Sequence, residues 1–130
     1  MKIHFIGIGG IGISGLAKYM HFKGHEVSGS DIADTIITKK LREEGISVTV
    51  PHSESAITDQ DLVVHSAIIS PDNPEIIAAK AKDIEVLARR EALLKILDDS
   101  KVYSVAGAHG KSTTTAILTA ILSGSAFIGA

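Results

Sequence analysis

The chain has 130 residues, 45% of them hydrophobic and 22% charged, which at roughly 100 to 200 residues per domain is one compact domain, or one domain and a piece of another. Thirteen Lys and Arg against 15 Asp and Glu give a formal charge of -2, so no cationic excess is available for nucleic acid or an anionic membrane, and neither partner is expected. Cysteine is absent, which excludes a disulfide framework, a zinc ribbon and a thiol nucleophile, and with no signal-peptide pattern or long apolar run the expected location is cytoplasmic.

In chain order, residues 3–8 are a short apolar run with β-branched character that reads as a strand and ends in the glycine turn Gly7-Ile8-Gly9-Gly10-Ile11-Gly12. Ile13, Leu16, Ala17 and Met20 then recur at the spacing of one buried helix face, and Gly24 is placed to end that helix. Residues 26–30 read as a second strand stopping at Asp31, so residues 3–31 form a right-handed parallel βαβ unit. A helix carrying Ile37 and Leu41 ends at Gly45, followed by strands over 46–50 and 61–65. In Asn73-Pro74-Glu75 an N-cap, a first-turn proline and a dipole-complementing acid predict a helix over about 74–82. A strand at 85–87 and a helix over about 90–97 complete the pattern. Residues 1–99 therefore read as a doubly wound α/β domain with roughly five parallel strands and a ligand crevice at their carboxyl ends.

After Ser100 the pattern restarts, with a strand at 102–106, the turn Gly107-Ala108-His109-Gly110-Lys111-Ser112, a helix over 113–122 and a further strand beginning near 126. A second nucleotide-type opening that runs out of sequence is expected to be the first piece of another domain, so residues 100–130 are taken as a separate unit.

The spacing Gly7-x-Gly9-x-x-Gly12 allows a tight turn, close approach of backbone N–H groups to a pyrophosphate, and close strand–helix packing. Asp31 stands where a carboxylate can accept hydrogen bonds from a ribose hydroxyl. The plainer reading is that these glycines only permit packing, and the residues leave NAD, FAD and a UDP-sugar open. The second turn is shorter than a standard P-loop, because Val105 stands where that motif needs Gly. Its chemistry is the same: the N–H groups of Gly107, Ala108, His109, Gly110 and Thr113 can cradle phosphates, Lys111 can reach the β and γ phosphates, and Ser112 can ligate Mg²⁺. A lysine at an ordinary helix start is the alternative, but a cation is unfavourable there unless an anion joins it. His52, His65, Ser66 and Arg89 follow strand ends, where the crevice is expected, although an isolated loop histidine is ordinarily a solvated group. His21 and His25 lack a third ligand for a metal, and the mixed charges from Lys39 to Glu44 read as a solvated helix face.

Residues 5–17, Gly29-Ser30-Asp31, His65-Ser66-Ala67-Ile68, Asp72-Asn73-Pro74-Glu75 and Gly107-Ala108-His109-Gly110-Lys111-Ser112-Thr113 together resemble the Mur ligase family. The resemblance implies a Rossmann-like domain over 1–99 that binds a UDP-sugar and, over 100–130, the start of a central P-loop ATPase domain. It further implies a parent enzyme that joins L-alanine to the carboxylate of UDP-N-acetylmuramate (UDP-MurNAc) through an acyl phosphate in peptidoglycan synthesis, using ATP and Mg²⁺. In that scheme Gly9, Gly10, Ile11 and Gly12 receive the UDP pyrophosphate, and Asp31, His52, Ser66 and Arg89 contact the UDP-sugar. Lys111 and Ser112 serve phosphoryl transfer and Mg²⁺, within an ATP turn running from Gly107 to Thr113. Ala108 and His65 depart from the usual Thr and Ser of the family pattern. The chain is expected to bind the UDP-sugar without catalysing. The alternatives are an NAD(H)-binding regulatory module, which explains 1–99 but not 100–130, and the family's murein tripeptide-recycling ligase, which shares the second turn. Oligomeric state is not legible.

Overall fold

The computed structural model describes residues 1–98. They form β1 (Lys2–Ile6), α1 (Ile11–Phe22), β2 (Glu26–Ser30), α2 (Ile36–Glu43), β3 (Ser47–Thr49), a 3₁₀ turn (Glu54–Ala56), β4 (Leu62–His65), α3 (Pro74–Ala81), β5 (Glu85–Ala88) and α4 (Arg89–Asp98). The strands make one parallel sheet in the order β3-β2-β1-β4-β5. This is the doubly wound Rossmann-like arrangement that the alternating pattern predicts.

The central strand β1 is covered on both faces, and its alternation sorts the core into two halves. Ile3 and Phe5 pack with Ile13, Leu16, Ala17 and Met20 of α1, Leu41 of α2 and Ala92 of α4, whereas Ile6 packs with Val63, Ile57 and Ile76 and Ala79 of α3. Each such side chain removed from water contributes about 1.5–3 kcal/mol. By the same alternation His4 shares the face of Ile6, under α3, a placement that matters below.

Local signals set most boundaries. The Thr35 hydroxyl accepts the N–H of Thr38 at 3.2 Å while the Thr38 hydroxyl accepts the N–H of Thr35 at 2.8 Å, a reciprocal cap for α2. Asn73 caps α3 by accepting the N–H of Glu75 at 2.9 Å, with Pro74 in the first turn. The first strand is shorter than its apolar run, because Gly7 takes a φ of 79° and the N–H groups of Gly7 and Ile8 both turn onto the carbonyl of Ser30. The third strand shrinks to Ser47–Thr49, since Pro51 has no N–H with which to extend a ladder. The 3₁₀ turn has no counterpart in the sequence reading.

At the outer edge of the sheet, the carbonyl of Thr49 accepts the N–H of Asp31 at 3.1 Å, so Thr49 faces β2 and Val48 faces outward. That outward carbonyl receives Nε and Nη2 of Arg42 at 3.2 and 3.0 Å. Among the described residues no helix is long and apolar enough to cross a membrane. The expected elements of 100–130, and the domain division placed before them, lie outside the described residues.

Candidate nucleotide site

In the order 3-2-1-4-5 the connections leave β1 toward β2 on one side and reach β4 on the other, so a crevice opens where the carboxyl ends of β1 and β4 diverge. A cavity of about 290 Å³ lies there, lined by Gly10 and Gly12 of the turn, Ser66 after β4, and Arg89 and Arg90 after β5. Gly12 leaves room for its neighbour: a Cβ at this position would stand 2.6 Å from Cζ of Arg89 and 2.8 Å from its Nε, so the guanidinium would have to move. The guanidinium thus lies directly against the first turn of α1. Ser66 is held similarly close to Gly7, where a Cβ would stand 2.9 Å from the Ser66 hydroxyl.

Within the turn the amides divide into two sets. The N–H of Gly9 goes to Oδ2 of Asp31 at 2.7 Å and that of Gly10 to the carbonyl of Gly7 at 3.1 Å, while Oδ1 of Asp31 accepts the N–H of Ile32 at 2.7 Å. The N–H groups of Ile11, Gly12 and Ile13 open the helix, where no intrahelical acceptor exists, and Gly10 offers no side-chain cap. This narrows the expectation that every amide from Gly9 to Gly12 faces a phosphate: Gly9 and Gly10 are engaged in shaping the turn, the amides of Ile11, Gly12 and Ile13 are available, and that of Ser14 bonds the carbonyl of Gly10. Asp31, directly after β2, sits beside the turn, with one oxygen on the N–H of Gly9 and the other on that of Ile32.

Among the described residues, two buried side-chain atoms, Oγ of Ser66 and Nε of Arg89, have no hydrogen-bond partner. An unsatisfied buried donor costs about 1–3 kcal/mol, and a guanidinium beside the positive end of a helix adds electrostatic cost. An anion beside Arg89 and the free amides of α1 is the kind of group that offsets both costs. The crevice thus gathers the Arg89 guanidinium and the open amides of a helix start.

A second polar cluster lies under α3 and is saturated. Glu75 is fully buried, as are Ser30 and His4, the last 1% exposed. Oε2 of Glu75 accepts the hydroxyl of Ser30 at 2.5 Å and lies 3.3 Å from Nε2 of His4, and Oε1 accepts the N–H of Ser53 at 3.2 Å. Burial pushes the Glu75 carboxyl up. The hydrogen bonds from His4 and Ser30, the charge interaction with His4 and the Ser53 N–H outweigh that and hold it below the ordinary glutamate value. Nδ1 of His4 meets the Ser28 hydroxyl at 2.9 Å, and Nδ1 of His52 meets the Ser30 hydroxyl at 2.8 Å.

The model of the Mur ligase family, catalytic domain, matches residues 2–101. The chain belongs to the Mur ligase family. It is 52% identical over 129 residues to the UDP-N-acetylmuramate–L-alanine ligase of Campylobacter curvus, covering 99% of this chain and 30% of that protein. Among solved structures it is similar to the UDP-N-acetylmuramate–alanine ligase MurC of Thermotoga maritima, at 39% identity and a TM-score of 0.80 over 95% of this chain and 29% of that one. The murein peptide ligase of Psychrobacter arcticus is similar at 28% identity and a TM-score of 0.78, over 95% of this chain and 26% of that one. The chain thus spans about 30% of the length of the curated relatives it matches.

Within this Mur ligase domain the structure gathers Gly10, Gly12, Ser66 and Arg89 around one cavity, with Asp31 braced against the turn beside it. His52 is placed differently, turned onto Ser30 at the end of β2 with 16% of its side chain exposed. His65 directs Nδ1–H to the carbonyl of Ser66 at 3.0 Å, fixing the start of the loop that carries that serine. Gly107, Ala108, His109, Gly110, Lys111, Ser112 and Thr113 lie outside the described residues. The sequence reading missed His4, Ser30 and Glu75 as a unit. A signal existed for His4, since a polar residue inside a strand buried on both faces must have a partner. None existed for Glu75, whose position in the first turn of α3 is equally suited to an exposed acid.

Proposed function

We propose that this chain is the UDP-sugar-binding part of an ATP-dependent ligase that joins L-alanine to UDP-MurNAc in cytoplasmic peptidoglycan synthesis. The observation that carries this reading is the pair of buried, unpartnered groups, Ser66 Oγ and Arg89 Nε, set with the open amides of α1 around one crevice. A nucleoside diphosphate supplies the anion that Arg89 and the helix start require. The greater similarity to alanine ligases than to the murein peptide ligase, 39% against 28% identity among the solved structures, favours L-alanine addition over peptide recycling.

In the reaction, ATP supplies the phosphoryl group that activates the UDP-MurNAc carboxylate. The amine of L-alanine attacks the acyl carbon, the new C–N bond forms, and phosphate leaves with the electron pair of the broken C–O bond. This chain's crevice binds and orients the sugar nucleotide. The sequence of the second turn, rich in N–H donors and followed by an ammonium and a hydroxyl, fits a nucleoside triphosphate with Mg²⁺, and Lys111 and Ser112 would hold them.

Calorimetry on the 130-residue chain with UDP, UDP-MurNAc, NADH and ATP tests the reading. UDP and UDP-MurNAc should bind and NADH should not, and no alanine-dependent phosphate release should occur. Binding of NADH without UDP would replace the reading with a dinucleotide-sensing module. In the full-length enzyme Lys111→Ala should abolish ligation and leave UDP-MurNAc affinity within about twofold, because uniform substrate binding does not need the phosphoryl clamp.

A further inference from the structure

The saturated cluster under α3 determines where its protons are. Glu75 is held in its ionised form, and a carboxylate only accepts. The single hydrogen of the Ser30 hydroxyl must therefore point at Oε2 of Glu75, 2.5 Å away. The same hydroxyl lies 2.8 Å from Nδ1 of His52. Having given its hydrogen to Glu75, it can offer His52 only a lone pair, so Nδ1 must carry a hydrogen and donate it. In neutral His52 that leaves Nε2 bare. Among the described residues Nε2 has no partner, and His52 keeps 16% of its side chain in solvent at the carboxyl edge of the sheet. A free imidazole has no such constraint; the choice is imposed from 0%-exposed atoms behind the ring.

We propose that Glu75, acting through Ser30, is a positioning residue that fixes His52 in the Nδ1–H tautomer and presents Nε2 as a hydrogen-bond acceptor for an N–H or O–H group of the bound uridine nucleotide. The ligand half of this statement rests on the function proposed above; the tautomer half does not. His4 supports the arrangement from the other side: it abuts the same Oε2 at 3.3 Å, and Ser53 occupies Oε1, so the carboxylate cannot rotate away from Ser30. The consequence for specificity is direct. A base or sugar edge that brings a hydrogen to Nε2 is accepted, and one that brings a lone pair is rejected.

Heteronuclear NMR on the histidine-labelled chain reads the tautomer without any ligand, by separating protonated from bare ring nitrogens. The expected result is a protonated Nδ1 and a bare Nε2 at His52, with the population moving toward the Nε2–H form in Ser30→Ala and returning in Ser30→Thr. A protonated Nε2 and bare Nδ1 in the unmodified chain would overturn the proposal whether or not the variants fold, as would a tautomer that Ser30→Ala leaves unchanged. Titration with UDP supplies the second arm. Ser30→Ala should weaken UDP about five- to tenfold, the scale of one neutral hydrogen bond. UDP methylated at its imide nitrogen and UDP lacking its ribose hydroxyls distinguish the donor: one of them should lose that factor against the unmodified chain and lose nothing further against Ser30→Ala. Equal losses in both backgrounds would overturn the acceptor role. If UDP fails to bind at all while the tautomer is as expected, the uridine reading falls and the relay stands.

Discussion

At the amino edge of the sheet, the ammonium of Lys2 meets Asp59, its N–H donates to Asp61 at 2.7 Å, and the amino group of Met1 lies 3.1 Å from Nδ1 of His25. Met1, Lys2, Glu26, Asp59 and Asp61 rim a hollow of about 520 Å³, larger than the crevice at the other end. At the carboxyl edge several polar atoms are buried, and they fall into a saturated set around Glu75 and an unsaturated set at Oγ of Ser66 and Nε of Arg89. The difference teaches that cavity size does not locate the site. The amino-edge hollow is ringed by charges that already satisfy one another in water, where pairing contributes little. The smaller crevice holds atoms whose hydrogen-bonding capacity no described residue uses.

The largest effect expected from breaking this contrast is at Glu75. Glu75→Ala removes the acceptor of His4, Ser30 and Ser53 at once, and urea unfolding should show a loss of about 3–5 kcal/mol, the scale for removing one partner of a buried charged network. A loss below about 1 kcal/mol would mean that the cluster is not closed in solution.

The same group sets an acid limb. Its folded-state carboxyl is held below the ordinary glutamate value, so its contribution to stability is complete above the unfolded-state value and is lost as pH falls through the folded one. Melting temperature followed downward from neutral pH should decline through the acid range below the ordinary glutamate value. Glu75→Gln should be less stable at neutral pH and decline less steeply there; parallel curves would assign the acid limb to other carboxylates.

Gly12→Ala sharpens the other half of the comparison. The added methyl occupies the space of the Arg89 guanidinium and displaces it, while alanine is the better helix former by about 1 kcal/mol. Stability should therefore stay within about 1 kcal/mol, while UDP affinity drops about tenfold, the scale of a lost charge-assisted contact. Retained affinity would remove Arg89 from the ligand. The smallest effect belongs to the amino edge: Lys2→Ala should leave the melting temperature and UDP binding indistinguishable from those of the unmodified chain, since Lys2 and Asp59 stand in water.

Much of the frame was legible in the sequence because its signals are local. The spacing of Ile13, Leu16, Ala17 and Met20 gave the buried face of α1, Asn73 and Pro74 gave the start of α3, and the run from Glu26 to Ser30 gave β2 to the residue. Ser66 and Arg89 were legible as strand-end positions, since a parallel sheet collects such ends at one edge. What spacing could not give was direction. Glu75 was read as a dipole-complementing acid, and nothing along the chain says that α3 turns it under the sheet toward a histidine 71 residues away. Asp31 was read as a carboxylate at the end of the second strand, but its grip on the amide of Gly9 depends on how far β2 extends past β1, a property of register that the sequence alone does not carry.

Arg42 has a consequence for the molecule in company. A parallel sheet ends in a strand whose outward groups can recruit a strand from another molecule, and β3 is such a terminus, only three residues long. By seating Nε and Nη2 on the outward carbonyl of Val48, Arg42 closes the one acceptor at the middle of that strand and sets a bulky cation across the approach. The sheet is thereby given an end. A neutral, shorter residue in its place should leave that carbonyl open to a strand from another copy, which self-association at high concentration would report.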